Sequence, residues 1–333
     1  AGLSTDRTVS PVVSNDGTAD VGIDMKYGLT ANLTADLTIN TDYAQVEVDE
    51  QQVNLTRFSL FFPEKREFFL EGRGVFEFGA GGGGRFGFGP PRDAPTLFYS
   101  RRIGLDGGEV VPIRAGGRLT GKVGAFTLGA MNIQTGGVPE AGVDGTNFSV
   151  LRVKRDLLRR SSIGVLATNR SHAVDGGGSA QSYGADAQFA FFENLELGAY
   201  YAVTETPART GDDESFEGRV DWNSDLYQAG VSFLKVGEDF NPEVGFIRRR
   251  GFEKSSANVR FSPRPSSIDA IRQLTWSGRV DYFEDALGRT ESRVQNGRFQ
   301  VELENSDQVS FQGTRNFEVL DEAFDVNSEL TVS

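Results

Sequence analysis

The sequence predicts an all-β protein, and within that class an up-and-down antiparallel transmembrane β-barrel of the outer-membrane type, interrupted by one irregular inserted segment. Three observations point there. Apolar and polar residues alternate with period two in segment after segment, many of those segments run to about 9–11 residues, and the connections between them are short and long by turns. Period two sends successive side chains to opposite faces of a strand. Globular strands are mostly shorter, whereas about ten tilted residues cross a bilayer. A water-soluble β protein whose apolar faces meet in a core has the same period; strand length and the regular loop asymmetry favour the barrel.

The alternation is clean in Val21–Leu29, where Val21, Ile23, Met25, Tyr27 and Leu29 share one face, and in Leu33–Ile39, where Asp36 opposes Leu33, Ala35, Leu37 and Ile39. It returns in Tyr183–Phe191, Leu195–Val203, Phe216–Trp222, Tyr227–Phe233, Leu274–Tyr282 and Phe299–Leu303. Weaker versions occupy 113–121, 123–133, 147–155, 162–170, 252–261, 308–318 and 324–332, which makes about fifteen strands in all. Tight-turn residues sit at Thr30–Asn32, Leu158–Ser161, Glu193–Asn194, Asn223–Asp225 and Ser306–Asp307. Longer loops fall at 134–146, 171–181, 205–215, 237–251 and 283–293, as if one rim of a barrel carried turns and the other carried loops. An odd strand count, and a last strand ending on Ser333 where such barrels tend to end on an aromatic residue, predict an incomplete chain or a partner that closes the gap.

Composition removes several function classes. The 333 residues hold 47 Asp+Glu against 34 Lys+Arg, a net charge of -13, which argues against nucleic acid as a partner. With no cysteine and one histidine, His172, thiolate catalysis, Cys-rich zinc sites and disulfide frameworks are excluded, and no cofactor is implied. No run of about 18 apolar residues exists to form a transmembrane helix. The acidic excess predicts a cation-preferring lumen, on the condition that the excess lines the pore.

Residues 42–112 break the hairpin rhythm, dividing the chain into first barrel strands (1–41), an inserted plug or cap (42–112) and the remaining strands (113–333). Irregular backbone has no place against lipid, so the insert must fold into the lumen, over its mouth, or against a partner. Its plug or constriction candidates are Arg57, Phe58, Phe61, Phe62, Glu64, Lys65, Arg66, Phe68, Phe69, Glu71, Arg101 and Arg102. Acidic and basic residues interleave there, so a salt-bridged plug is the expectation, with Arg73 a further pairing candidate.

The blocks Thr41–Asp49, Val53–Phe58, Phe61–Gly72 (Phe-Phe-Pro-Glu-Lys-Arg-Glu-Phe-Phe-Leu-Glu-Gly) and Phe98–Gly104 (Phe-Tyr-Ser-Arg-Arg-Ile-Gly), in that order, resemble the bacterial family catalogued as domain of unknown function 5916. The resemblance implies an outer-membrane barrel of the kind that commonly follows a domain similar to family 9 carbohydrate-binding modules. It departs at Glu67, where the family pattern has proline, and at Asn40–Tyr43, where it has Asn-Pro-Asp-Phe.

Three further clusters invite a site. Asp42, Glu47, Asp49 and Glu50 form a candidate cation site without EF-hand spacing, for which a solvated or arginine-paired loop is the plainer reading. Arg248, Arg249 and Arg250, in a long loop, are candidates for an anionic glycan or lipopolysaccharide phosphate. Gly81–Gly84 lacks the Lys-Ser/Thr of a phosphate loop, and Phe86 and Phe88 beside Arg85 suit either sugar stacking or plug anchoring. His172 reads as a surface residue. The function expected is a plugged channel or transporter-like pore in a bacterial outer membrane, for a solute such as an oligosaccharide. Its partners would be outer-membrane lipid, carbohydrate and other outer-membrane or periplasmic subunits. A non-conducting docking barrel in a cell-surface assembly is the alternative, and a two-carboxylate hydrolase at the barrel mouth a third reading.

Overall fold

A computed structural model describes residues 2–6, 13–18, 22–40, 59–79, 93–106, 109–174, 177–319 and 323–332. A small hairpin, β1 (Gly2–Asp6) with β2 (Val13–Thr18), stands apart from the main sheet. The main sheet begins with β3 (Ile23–Thr30) and β4 (Leu33–Ile39). After the insert, which contains the two-residue strands β5 (Leu105–Asp106) and β6 (Glu109–Val110), it resumes with β7 (Ile113–Val123), β8 (Phe126–Thr135), β9 (Asn147–Leu157) and β10 (Ser161–Arg170). It continues with β11 (Ala180–Phe191), β12 (Leu195–Glu205), β13 (Glu214–Asn223), β14 (Tyr227–Val236) and β15 (Phe252–Phe261). The last strands are β16 (Ile271–Asp285), β17 (Thr290–Leu303), β18 (Gln308–Val319) and β19 (Ala323–Val332). Fifteen strands pair antiparallel in sequence order, β4 meeting β7 directly, so the insert enters and leaves between neighbours.

The architecture is therefore an all-β up-and-down sheet with almost no helix; among the described residues no helix is long and apolar enough to cross a membrane. Where the sequence predicts a closed barrel, the described sheet is open: its outer strands, β3 and β19, do not pair with each other. In an up-and-down order the first and fifteenth strands run the same way, so they cannot continue an antiparallel ladder. Two connections also differ from expectation. Residues 283–293 hold a tight turn, closed by the Asp285 N–H donating to the Arg289 carbonyl and by Gly288 at φ 73°, with strand on both sides. The β15–β16 connection on the short-turn side is extended by Pro263 and Pro265, which cannot donate to a ladder.

Register keeps one parity outward across every strand. Leu195, Leu197, Ala199 and Tyr201 of β12 lie opposite Trp222, Val220, Gly218 and Phe216 of β13, and the row continues through Tyr227, Ala229, Val231 and Phe233 of β14. At the short-turn end the outward rings run on in contact, Tyr227 to Phe261 at 5.0 Å, Phe261 to Trp276 at 5.7 Å and Trp276 to Phe299 at 5.1 Å between centroids. Toward the long loops the same parity turns charged, at Glu214, Lys235, Glu253 and Arg293, while Arg315 stands in the middle of β18 before Phe317. The inward parity is polar or receives the insert.

Glycines on that inner face make the seat. A Cβ on Gly184 of β11 would stand 2.4 Å from the Phe78 ring and 2.7 Å from Leu97, both from the insert, and one on Gly129 of β8 would stand 2.8 Å from Val75. Gly184→Val is expected to destabilise the fold by about 1–3 kcal/mol through overpacking. Gly297→Val, where nothing lies within 4 Å, should shift the melting midpoint little. Equal midpoints for the two variants would show that the insert is not seated on β11.

Candidate functional site

The insert begins extended, since Pro63 disfavours helix at Phe62, and then makes a one-turn helix, α1 (Glu67–Leu70), that stops before Gly72 in the left-handed region at φ 65°. Glu64 and Arg66, two residues apart in the extended stretch, form the knot that ties its two halves together. Glu64 accepts from the Arg66 side chain at 2.9 and 2.7 Å, from the Arg66 backbone N–H at 2.9 Å and from Ser100 Oγ at 2.6 Å. Arg66 in turn donates to the carbonyls of Ile103 (2.7 Å) and Ser100 (2.8 Å) and lies over the Phe69 ring. Burial pushes the Glu64 carboxyl up, but the Arg66 hydrogen bonds and charge, with Ser100, outweigh it and hold the group below its ordinary value.

A second knot joins the insert to the sheet. Lys26, Asp36 and Arg118 face one another across β3, β4 and β7 on the inner face. Arg118 binds Asp36 at 2.7 Å and donates to the Phe68 and Glu71 carbonyls, capping the open end of α1; Glu71 also pairs with Lys26. Arg118 is buried, with Phe68 beneath its guanidinium.

The third component is the loop between β14 and β15. Phe240–Ile247 are all buried, because this loop folds inward onto the insert. Tyr99 N–H donates to the Val244 carbonyl, Thr96 and Phe246 exchange a bridge, and Arg102 Nε donates to the Gly245 carbonyl at 3.1 Å. Phe61, Tyr99 and Phe246 pack ring to ring at 5.0–5.5 Å. Glu243, 7 % exposed, receives the Val174 N–H at 2.9 Å and sits 3.7 Å from Arg170 of β10.

Below the plug the inner wall is polar: Glu217, Arg219 and Asp221 on β13, Lys254, Asn258 and Arg260 on β15, Arg279 and Asp281 on β16, Asn296 and Arg298 on β17. Lys254 bridges Asp93 of the insert (2.7 Å) and Asp281 (3.4 Å), so the insert is also moored on the far wall. On the opposite wall Arg152 reaches over Gly164 to grip Asp186 two strands away, at 2.9 Å for one of its two bonds; a Cβ on Gly164 would stand 2.7 Å from that guanidinium.

The structure thus gathers Phe61, Phe62, Glu64, Arg66, Phe68, Phe69, Glu71, Arg101 and Arg102 into one packed cluster, with Arg101 over the Phe62 ring and Lys65 at its exposed surface. Arg57, Phe58, the acidic cluster Asp42, Glu47, Asp49 and Glu50, and Gly81–Gly84 with Arg85, Phe86 and Phe88 lie outside the described residues. Of the arginine triplet, Arg248 is exposed, Arg249 pairs with Glu291 over Phe252 and Phe283, and Arg250 donates to Asn241. His172 is exposed. Sequence reasoning missed Asp36, Arg118, Arg152, Asp186 and the inward loop. The loop's signal was legible: Phe240, Val244, Phe246 and Ile247 are too apolar for a solvated connection.

Residues 7–111 match the family model described as "Domain of unknown function (DUF5916)", which is the family the four sequence blocks resemble and which takes in β3, β4 and the whole plug. No curated protein matches the chain.

Because the Glu64 value is depressed in the fold, its contribution is complete above the ordinary carboxylate value of about 4.3 and is lost as pH falls through the lower folded value. Acidification should therefore loosen the junction between the two halves of the insert, measured as new protease cleavage within 59–79 while strand circular dichroism persists. Glu64→Gln should weaken that junction at neutral pH by about 3–5 kcal/mol, leaving Arg66 buried without its counter-charge, and should flatten that pH dependence. Wild-type acid sensitivity in the Glu64→Gln variant would reject this account.

Proposed function

We propose that the protein spans a bacterial outer membrane as a β-barrel and acts as a plugged channel or transporter-like pore, with residues 59–106 and the loop 237–251 as its constriction and a polar solute such as an oligosaccharide as its cargo. The observation that carries this reading is the two-faced sheet. No described part of the chain covers the outward face, where Val231 and Val259 are 58 % and 60 % exposed, yet that face is apolar and ringed by aromatics, while the inward face is polar and charged. In water such a face is a liability; against lipid it is the ordinary surface of a barrel, with aromatic residues at the interface. Closure requires β3 and β19 to be joined, directly or through added strands.

The plug's moorings suit a constriction that holds and releases. They are ionic and hydrogen-bonded at Glu71–Lys26, at Arg118 with the Phe68 and Glu71 carbonyls, and at Asp93–Lys254. Ionic moorings of this kind respond to charge and pH, whereas a wholly apolar contact would not.

The two unpaired edges of the described sheet favour a second reading, a docking barrel completed by strands of another subunit. Stable co-purification of such a subunit from detergent extracts would support it.

The first test is reconstitution in planar bilayers with and without residues 42–112. The intact protein should conduct little and the deletion variant should form steady open channels; absence of conductance from both would reject the pore. The membrane placement is tested by Val231→Arg, which should cost about 2–4 kcal/mol of stability in lipid. The lumen-facing Asn258→Arg should be tolerated. Equal behaviour of the two in vesicle refolding would reject a lipid-facing outer surface.

A further inference from the structure

Short of the charged ring near the long loops, the regular outward positions of β3 to β18 carry two charged side chains among the described residues, Arg315 of β18, which has an interaction partner, and Arg155 of β9. Arg155 lies opposite Phe126 of β8 and Ile163 of β10, both exposed, and its guanidinium stands 5.4 Å from the Phe126 ring centroid. Immediately after β9 the turn continues Leu158-Arg159-Arg160. Leu158 holds a left-handed backbone at φ 54° and is 77 % exposed, and Arg159 is exposed beside it. The acids nearby are already engaged, Asp156 with Lys122 at 3.0 Å and Glu196 with Arg160 at 3.2 Å. Arg155 and Arg159 make no ion pair with a described residue.

We propose that Arg155 and Arg159 form a phosphate clamp for a phospholipid headgroup at the short-turn edge of the apolar belt, with Phe126, Leu158 and Ile163 against the upper acyl chains. The inference rests on the membrane placement argued above and adds to it a specific lipid contact. An arginine at the edge of a lipid-facing belt extends its apolar stem along the belt and its head toward the interface. Its planar fork binds phosphate oxygens through two parallel N–H bonds, which a lysine cannot match. Removing the charge from such a position would improve the belt if burial against lipid were all that mattered; an unpaired guanidinium there is matched by the one anion that every phospholipid supplies at that depth.

The test uses the full chain in a maltoside detergent, whose headgroup has no phosphate, titrated with short-chain phosphatidylglycerol and followed by native mass spectrometry and melting midpoint. Wild type should retain the lipid and gain stability. Arg155→Gln and Arg159→Gln should each weaken binding about fivefold, and Arg160→Gln, already paired with Glu196, should not. Equal binding by the Arg155→Gln/Arg159→Gln double variant would overturn the clamp, as would equal stabilisation by a phosphate-free glycolipid. Stabilisation by inorganic phosphate alone at the same concentration would mark a site for a soluble anion and overturn the lipid assignment. Vesicle insertion is scored separately. If wild type inserts and the lipid titration fails, only the clamp is lost; if wild type does not insert, the membrane placement falls and takes the clamp with it.

Discussion

Every strand of the large sheet has to hold the same parity outward, and most of the molecule follows from that constraint. A slip of one residue in β12 would turn Tyr200 and Ala202 out of the inner core and bring Leu197 and Tyr201 in, exchanging the surfaces strand by strand. Register is therefore fixed on both faces at once, outward by apolar continuity and inward by the glycines that admit the plug. Gly164 shows how closely the two are linked: the absence of one side chain on β10 lets Arg152 of β9 hold Asp186 of β11, a pairing that works only if all three strands keep register.

Arginine does much of the work that a larger core would do elsewhere. A short irregular insert carries many carbonyls that no ladder satisfies, and burying them unpaired is costly. Arg66 takes those of Ser100 and Ile103, Arg118 those of Phe68 and Glu71, and Arg102 that of Gly245. Each guanidinium has enough donors to hold a carboxylate and a carbonyl together, so the same side chains that neutralise Glu64 and Asp36 also stop the irregular backbone from unravelling. Apolar clusters around Phe69, Phe76 and Ile103, and around Leu97 and Tyr200, fill the space between these fixed points.

Much of this was legible in the residues. All fifteen strands of the large sheet overlap a segment of alternation, β4 and β15 to the residue, because a two-faced strand must write its burial into its sequence, while β17 starts nine residues before the expected Phe299. The insert was visible for the opposite reason, as the stretch where period two fails. What alternation could not show was where loops go. The 237–251 loop, counted with the solvated connections, folds inward, and its fate depends on Tyr99 and Thr96, more than a hundred residues away. The partners of Glu64 and Glu71 were likewise out of reach. Lys65 and Arg66 are equivalent by proximity, and only the fold buries Arg66 while leaving Lys65 exposed.

The charge of the whole chain is a poor guide to the charge of its interior. Net acidity would favour cations in the lumen only if the excess lined it, and on the wall that the plug leaves open it does not. The inner positions of β13 and of β15 to β17 carry Arg219, Lys254, Arg260, Arg279 and Arg298 against Glu217, Asp221, Asp281 and Glu302, so the two signs nearly balance, and the Asp281 carboxylate is shared by Lys254 and Arg279. Much of the acid lies instead in the connections, at Asp212, Asp213, Glu238 and Asp239 on one side and Glu304 and Asp307 on the other. In the pore we propose, a solute would therefore meet a wall of mixed charge rich in arginine, asparagine and serine donors, with the acidic excess lying in the connections. In that proposal the division favours polar solutes that hydrogen-bond over bare cations, because the wall carries many donors and no acidic excess.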